Sequence, residues 1–221
     1  MNYTTVLWDL DGTILDSGPG IFESFRKTFE AMGLPQISDE QMRTFLGPPL
    51  RVTFSEHLGL SPLDTERALE IYKGFYLPAG AANASLYPGV IEAIQSIRSA
   101  GIATSLATSK AIGGVLVVGE HFDFLHLFDF LGTASLEANR LSKVDVMTYA
   151  LDGLKQLGAD LSKVLLVGDR IHDVEGARHH GVDVALVKWG YGTPEEWAQA
   201  DYVLESPADL LKLLKISQDV V

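Results

Sequence analysis

The chain contains no cysteine. Disulfides, thiolate nucleophiles and cysteine-ligated zinc are therefore excluded. Positive charge is also scarce: 17 Lys and Arg stand against 29 Asp and Glu, a formal net charge of −12. Sequence-independent nucleic-acid binding needs the opposite balance, so no nucleic-acid partner is expected. An anionic small molecule remains compatible with this surface, because one lysine and a bound cation can reverse the field inside a single cleft. Long hydrophobic runs are missing too. The apolar stretches stop well short of the ~20 residues of a membrane helix, and no basic N-terminal stretch leads into one. The expectation is a cytoplasmic protein without a membrane partner, monomeric or a weak homodimer.

What is present suits one domain, or a core domain with a smaller insertion: 221 residues, 47% of them hydrophobic. Short apolar runs at 6–8, 102–107, 128–131, 164–167 and 182–187 read as strands. Helical patterns at 90–99, 144–157 and 174–180 separate them, and Ser206-Pro207 opens a last helix carrying Leu210, Leu211, Leu213 and Leu214. Buried strands alternating with helices predict an α/β fold, a Rossmann-like parallel sheet covered by helices on both faces.

Residues from about 16 to 86 break this rhythm and contain no convincing strand. Phe22, Phe25, Phe29 and Met32 recur at helical spacing. Met42, Phe45 and Leu46, then Val52, Phe54 and Leu58, suggest shorter helices. Ala68, Ile71, Tyr72, Phe75 and Tyr76 form a further apolar face. Gly47-Pro48-Pro49 marks a turn. The simplest topology inserts a small α-helical cap, 16–86, into a core of 1–15 and 87–221. It would lie over the carboxyl end of the first strand, where open α/β sheets bind ligands.

The most informative segment is Val6-Leu7-Trp8-Asp9-Leu10-Asp11-Gly12-Thr13. Asp9 and Asp11 are two apart, so an extended chain presents both on one face, and Gly12 permits the turn that ends the strand. One carboxylate can attack phosphorus while the other handles a proton. The bland alternative is a helix-capping pair, for which Asp16-Ser17 is the better placed. Thr108, in Ala107-Thr108-Ser109-Lys110, offers a hydroxyl and free backbone donors for a phosphoryl oxygen, or else an ordinary helix N-cap. Lys143 opposes a helix macrodipole and so calls for compensation by carboxylates or phosphate; Arg140 and Lys110 are substitutes for its role. In Gly168-Asp169-Arg170-Ile171-His172-Asp173, Asp169 and Asp173 can approach one ion, directly or through water. Hard oxygen donors favour Mg2+ over zinc. Asp9 and the Asp11 carbonyl complete the candidate metal set, and Arg170 is available to brace the cluster.

The chain resembles the haloacid-dehalogenase-like hydrolase superfamily. Asp9-Leu10-Asp11-Gly12-Thr13 is similar to its first motif, Thr108 to the second, Lys143 to the third, and Asp169 with Asp173 to the fourth. Asp11 implies a phosphatase, because the dehalogenating members lack it. Asp16 to Ile21, Gly47-Pro48-Pro49-Leu50, Thr108-Ser109-Lys110 and Trp189-Gly190-Tyr191-Gly192 look like the phosphoglycolate phosphatase or 5′-nucleotidase-like branch. The resemblance implies a magnesium-dependent phosphomonoester hydrolase with an aspartyl-phosphate intermediate. Its substrate would be a small phosphorylated metabolite such as phosphoglycolate or a nucleoside 5′-monophosphate. Gly12, Thr13, Thr108, Ser109, Lys110 and Lys143 would bind phosphate or substrate. Arg51 and Lys110 are the cations for a second anion on the substrate, and Phe54, Tyr72 or Tyr76 would serve a nucleotide base. Alternatives on the same core are a sugar phosphomutase, a pyrophosphatase and a non-catalytic binding protein.

Overall fold

The computed structural model describes residues 3–216. The chain enters through β1 (Thr5–Trp8) and β2 (Leu15–Asp16), then runs through α1 (Gly18–Met32), α2 (Asp39–Arg43), α3 (Leu50–Val52) and α4 (Pro62–Phe75). Single π-helical turns, Thr53–His57 and Tyr76–Gly80, continue α3 and α4. After β3 (Ser85–Leu86), helices and strands alternate: α5 (Val90–Ser99), β4 (Ala103–Ala111), α6 (Ile112–Phe122), β5 (Phe130–Ala134), α7 (Lys143–Gln156), β6 (Val164–Gly168), α8 (Ile171–His180), β7 (Asp183–Val187), α9 (Pro194–Trp197), β8 (Tyr202–Leu204) and α10 (Pro207–Leu214).

Six strands form one sheet in the order β5-β4-β1-β6-β7-β8, every pair parallel. Strand side chains alternate between its faces. Val6, Trp8, Leu165, Val167, Ala185 and Val187 pack with α5, α6 and α10, whereas Leu7, Leu166, Val184 and Leu186 pack with α7 and α8. Both faces are thus covered, which is why these strands read as unbroken apolar runs.

The segment between β2 and β3 is helical and has its own aromatic core. The Phe25 ring lies 5.4 Å from Phe45, 5.6 Å from Phe54 and 5.1 Å from Tyr72. α1 meets the Tyr76–Gly80 turn so closely that a β-carbon on Gly20 would stand 1.8 Å from the Gly80 carbonyl oxygen. Backbone cannot yield there as a flexible side chain would. Gly20→Ala is expected to destabilise the protein by about 2 kcal/mol or more, seen as a lower melting temperature. An unchanged melting temperature would contradict this close approach.

Four expectations need correction. The stretch 16–86 is not free of strand: Leu15–Asp16 pairs antiparallel with Ser85–Leu86. Two-residue strands brought together from distant positions leave no periodic signal. β8 escapes sequence reading for a similar reason, being three residues at the sheet edge. β4 does not stop at residue 107 but continues to Ala111, with a register shift between Thr108 and Ala111. Ser17 stands at the start of α1 without a side-chain capping bond, and Asp16 instead accepts a hydrogen bond from the Tyr191 hydroxyl at 2.8 Å.

Candidate active site

β1 lies between β4 and β6, so the chain leaves its carboxyl end at the point where the strand order reverses. That is the crevice in which open α/β sheets accept ligands. Here the crevice is a cleft of about 510 Å³, roofed by the helical insertion. Asp9, Asp11, Thr108, Ser109, Lys110, Lys143 and Asp173 line it, with Arg51 on the opposite wall.

Asp9 follows the last residue of β1. Its amide donates to the Val167 carbonyl at 2.9 Å, which ties it to the tip of β6. Across that pair stand Asp169 and Asp173, both 1% exposed. Each of the three acids offers one carboxylate oxygen, and these lie within 4.8 Å of one another. Lys143, at the first turn of α7, enters the same space. Its ammonium donates to Asp9 Oδ1 at 2.7 Å and to the Ala107 carbonyl at 2.7 Å, and lies 2.6 Å from Asp173 Oδ1. The compensation that its helix position calls for is therefore supplied by two carboxylates.

The charges do not balance. Burial pushes Asp9 up to about 6, with Asp173 adding to the rise and Lys143 working against it. Burial, followed by the fields of Asp173 and Asp9, also pushes Asp169 well up. Burial alone would lower Lys143, but Asp173 and Asp9 outweigh it and hold the ammonium protonated. Asp169 Oδ1 is buried without a hydrogen-bond partner. Three acids, one ammonium and an unpartnered carboxylate oxygen fit a divalent cation, and the all-oxygen donor set suits Mg2+. Asp173 is the most committed of the three: its Oδ2 accepts from the amides of Asp169 and Arg170 at 3.1 and 3.0 Å.

Asp11 points elsewhere. Its two oxygens accept from the Lys110 ammonium at 2.9 and 2.8 Å, and that ammonium sits 4.8 Å from the centre of the Tyr76 ring. The Asp11 carboxylate thus lies outside the three-acid group, leaving its main-chain carbonyl for the expected metal role. The two extra residues of β4 at the Thr108–Ala111 shift project Ser109 and Lys110 into the cleft. Thr108 is no helix cap, because α6 begins only at Ile112; its hydroxyl accepts from the Lys110 amide at 3.2 Å. The helix-start Gly114 admits Lys110: a β-carbon there would lie 3.2 Å from the lysine stem.

Gly12 and Thr13 lie beneath the cleft rather than in its wall. Gly12 has φ +82°, and a β-carbon would stand 2.1 Å from Asp169 Oδ2. The glycine is thus needed for both the turn and the close approach. Thr13 is fully buried. Arg51 reaches the cleft, but its guanidinium is paired with Glu66. Tyr72 and Tyr76 line the cleft, whereas Phe54 belongs to the core of the insertion. His172 pairs with Glu175, outside the acidic group.

Three supporting residues were not identified as such from sequence. The Tyr191 amide donates to Asp169 Oδ2 at 2.8 Å. The Trp189 indole donates to the Thr13 carbonyl at 3.0 Å. Glu196 accepts from the Arg170 guanidinium at 3.0 Å and from the Ile171 amide at 3.1 Å, placing a carboxylate at the start of α8. Arg170 also donates to the Leu46 carbonyl, so it ties the acidic loop to the insertion rather than bracing the acids. The Thr193-x-x-Glu196 spacing of a capping box was the available signal for Glu196.

Residues 6–187 match the family model described as haloacid dehalogenase-like hydrolase. The chain is 37% identical over 187 residues to the tyrosine-protein kinase PtkA of Mycobacterium tuberculosis, covering 85% of this chain but 62% of that protein. It is 30% identical over 219 residues to the pyrophosphatase PpaX of Anoxybacillus flavithermus, covering 98% and 99% of the two chains. Other relatives are named phosphoglycolate phosphatase and 5′-nucleotidase. The crystal structure of a predicted phosphatase from Clostridium acetobutylicum superposes with a TM-score of 0.89 at 28% identity, covering 97% and 99%. The chain belongs to the haloacid dehalogenase-like hydrolases.

Proposed function

We propose that this chain is a magnesium-dependent phosphomonoester hydrolase that works through an aspartyl-phosphate on Asp9. One observation carries the reading: Asp9, Asp169 and Asp173 converge in buried surroundings, and Lys143 is, among the described residues, the one ammonium paired with them, through Asp9 and Asp173. Asp9, Asp169 and Asp173, the last directly or through water, would hold Mg2+. When bound, the ion neutralises charge on the acids and on the phosphoryl oxygens and polarises phosphorus.

The chain's own residues do the rest. An Asp9 oxygen attacks phosphorus, and the bond from phosphorus to the leaving oxygen breaks as Asp11, released from Lys110 and carrying a proton taken up from solvent, gives that oxygen its proton. Asp11 then takes a proton from the water that attacks the phosphorylated Asp9, and the bond to Asp9 breaks to release phosphate. Lys143 orients Asp9 through its 2.7 Å contact and offsets phosphoryl charge. Thr108 and Ser109 provide hydroxyl and amide donors at the strand tip. The helical insertion, 16–86, serves as a cap that keeps bulk water from the developing charge. We take the protein as a monomer or weak homodimer with no nucleic-acid or membrane partner. Among the described residues no helix is long and apolar enough to cross a membrane.

The substrate class is a small phosphorylated metabolite. Relatives are named for phosphoglycolate and for 5′-nucleotides, both members of that class, and the cap wall decides between such leaving groups. The test is phosphate release from phosphoglycolate, nucleoside monophosphates, sugar phosphates and pyrophosphate, with magnesium and then with chelator. Metal-dependent release from a phosphomonoester is expected. Folded protein that releases phosphate from none of them, or equally well in chelator, would overturn the reading.

A further inference from the structure

Four charged side chains of the insertion line the cleft, two of each sign: Arg51 and Lys73, Glu66 and Glu70. Arg51 is not free to receive an anion. Both of its terminal nitrogens face Glu66, Nη2 to Oε2 at 3.0 Å and Nη1 to Oε1. This paired geometry occupies the fork that would otherwise grip a substrate carboxylate. The core-side cations are committed as well: Lys110 to Asp11, Lys143 to Asp9 and Asp173, Arg170 to Glu196. Lys73 is exposed and shares its stretch of α4 with the two glutamates.

Much of the remaining wall is apolar, with Ser135 and His172 the polar exceptions outside the strand tip. Leu50, Leu69, Tyr72 and Leu77 come from the insertion, Leu136 and Leu141 from the core. Leu136 is 56% exposed and Leu77 37% exposed. Large apolar side chains held in water at a cleft mouth gain when a ligand covers them. A second anion placed there would lose hydration beside Glu66 and Glu70 and would find, among the described residues of the cap wall, no unpaired cation except the exposed Lys73.

We infer that the cleft accepts phosphomonoesters whose leaving group is neutral with an apolar or aromatic face, and that Glu66 excludes a second anion by occupying Arg51. This rests on the hydrolase reading above. Glu66 acts through Arg51 and is a specificity-positioning residue.

Benzyl phosphate and phosphoglycolate test it, since both release primary alcohols and differ in the group carried beside the phosphate. With the magnesium-loaded protein, kcat/KM is expected to favour benzyl phosphate by about tenfold or more, as apolar-pocket discrimination allows. Glu66→Gln removes the carboxylate charge from an exposed pair and so leaves the fold intact. It should shift the kcat/KM ratio about tenfold toward phosphoglycolate, the scale of one charged hydrogen-bonded contact, with the change falling on KM. Equal use of the two esters by the wild type, or an unshifted ratio in the variant, overturns the inference. Calorimetry with benzylphosphonate and phosphonoacetate separates this from the hydrolase reading. If neither ester is hydrolysed, phosphate release from the nucleoside monophosphates and sugar phosphates decides whether the hydrolase reading stands, and the affinities still decide the character of the cleft. Tighter benzylphosphonate supports it; tighter or equal phosphonoacetate, or no binding of either, overturns it.

Discussion

Asp9→Asn is expected to abolish turnover, with a loss on the order of 10⁴-fold or more, because the amide cannot serve as the anionic nucleophile. The variant should remain folded. In the folded protein burial raises Asp9 to about 6, above the ordinary value of 3.8. A raised carboxyl means that the native state holds its proton more tightly than the unfolded chain. Stability contributed by that group therefore falls as pH rises from about 4 through about 6. At neutral pH without metal the ionised Asp9 is a burden on the fold, which asparagine removes. Metal-free Asp9→Asn should melt no lower than the wild type at pH 7.5 while showing no phosphate release. An active variant would sink the aspartyl-phosphate mechanism; an inactive and unfolded one would contradict the electrostatic account.

Lys143→Met carries the second large effect, this time on stability. Methionine preserves much of the stem that lies against Gly176, but removes the ammonium from Asp9 and Asp173. Breaking a buried pair from one side costs about 3–5 kcal/mol. In chelator the melting temperature should fall by roughly 10 °C, given about 2–4 °C per kcal/mol at this chain length. Magnesium should recover part of that loss, because a cation bound only by the native state stabilises it by mass action and offsets the acids that Lys143 no longer neutralises. Activity should fall as well, since Asp9 loses the contact that orients it. A wild-type melting temperature in chelator would show that the ammonium is not needed to hold the acids together. A drop that magnesium leaves untouched would separate Lys143 from the metal site.

The two effects differ in kind because the two residues were legible to different degrees. Asp9 was readable from its neighbours alone: an apolar run that ends in two aspartates and a glycine has no use as a strand interior. Lys143 was readable only as an anomaly, a cation at a helix start, and its partners lie 134 and 30 positions away in sequence. Asp169 and Asp173 fall between these cases, since their strand–turn–helix setting is local but their approach to Asp9 depends on the pairing of β1 with β6.

Local chemistry in the sequence was enough for the alternation of strand and helix, the helical insertion and the residue types of the chemistry. Hydrophobic periodicity, turn residues and acids at strand ends are properties of adjacent positions. Tertiary structure alone decided what depends on distant positions meeting. The β2–β3 ribbon at the base of the insertion, the edge strand β8, the shift in β4 that presents Lys110, and the struts from Trp189, Tyr191 and Glu196 are of this kind. So is the fate of the cations. Lys110 and Arg51 look like free anion receptors along the chain, yet folding seats each against a carboxylate, Asp11 and Glu66. A sequence records that a charge exists, but whether it is free is set by which opposite charge the fold brings within hydrogen-bonding distance.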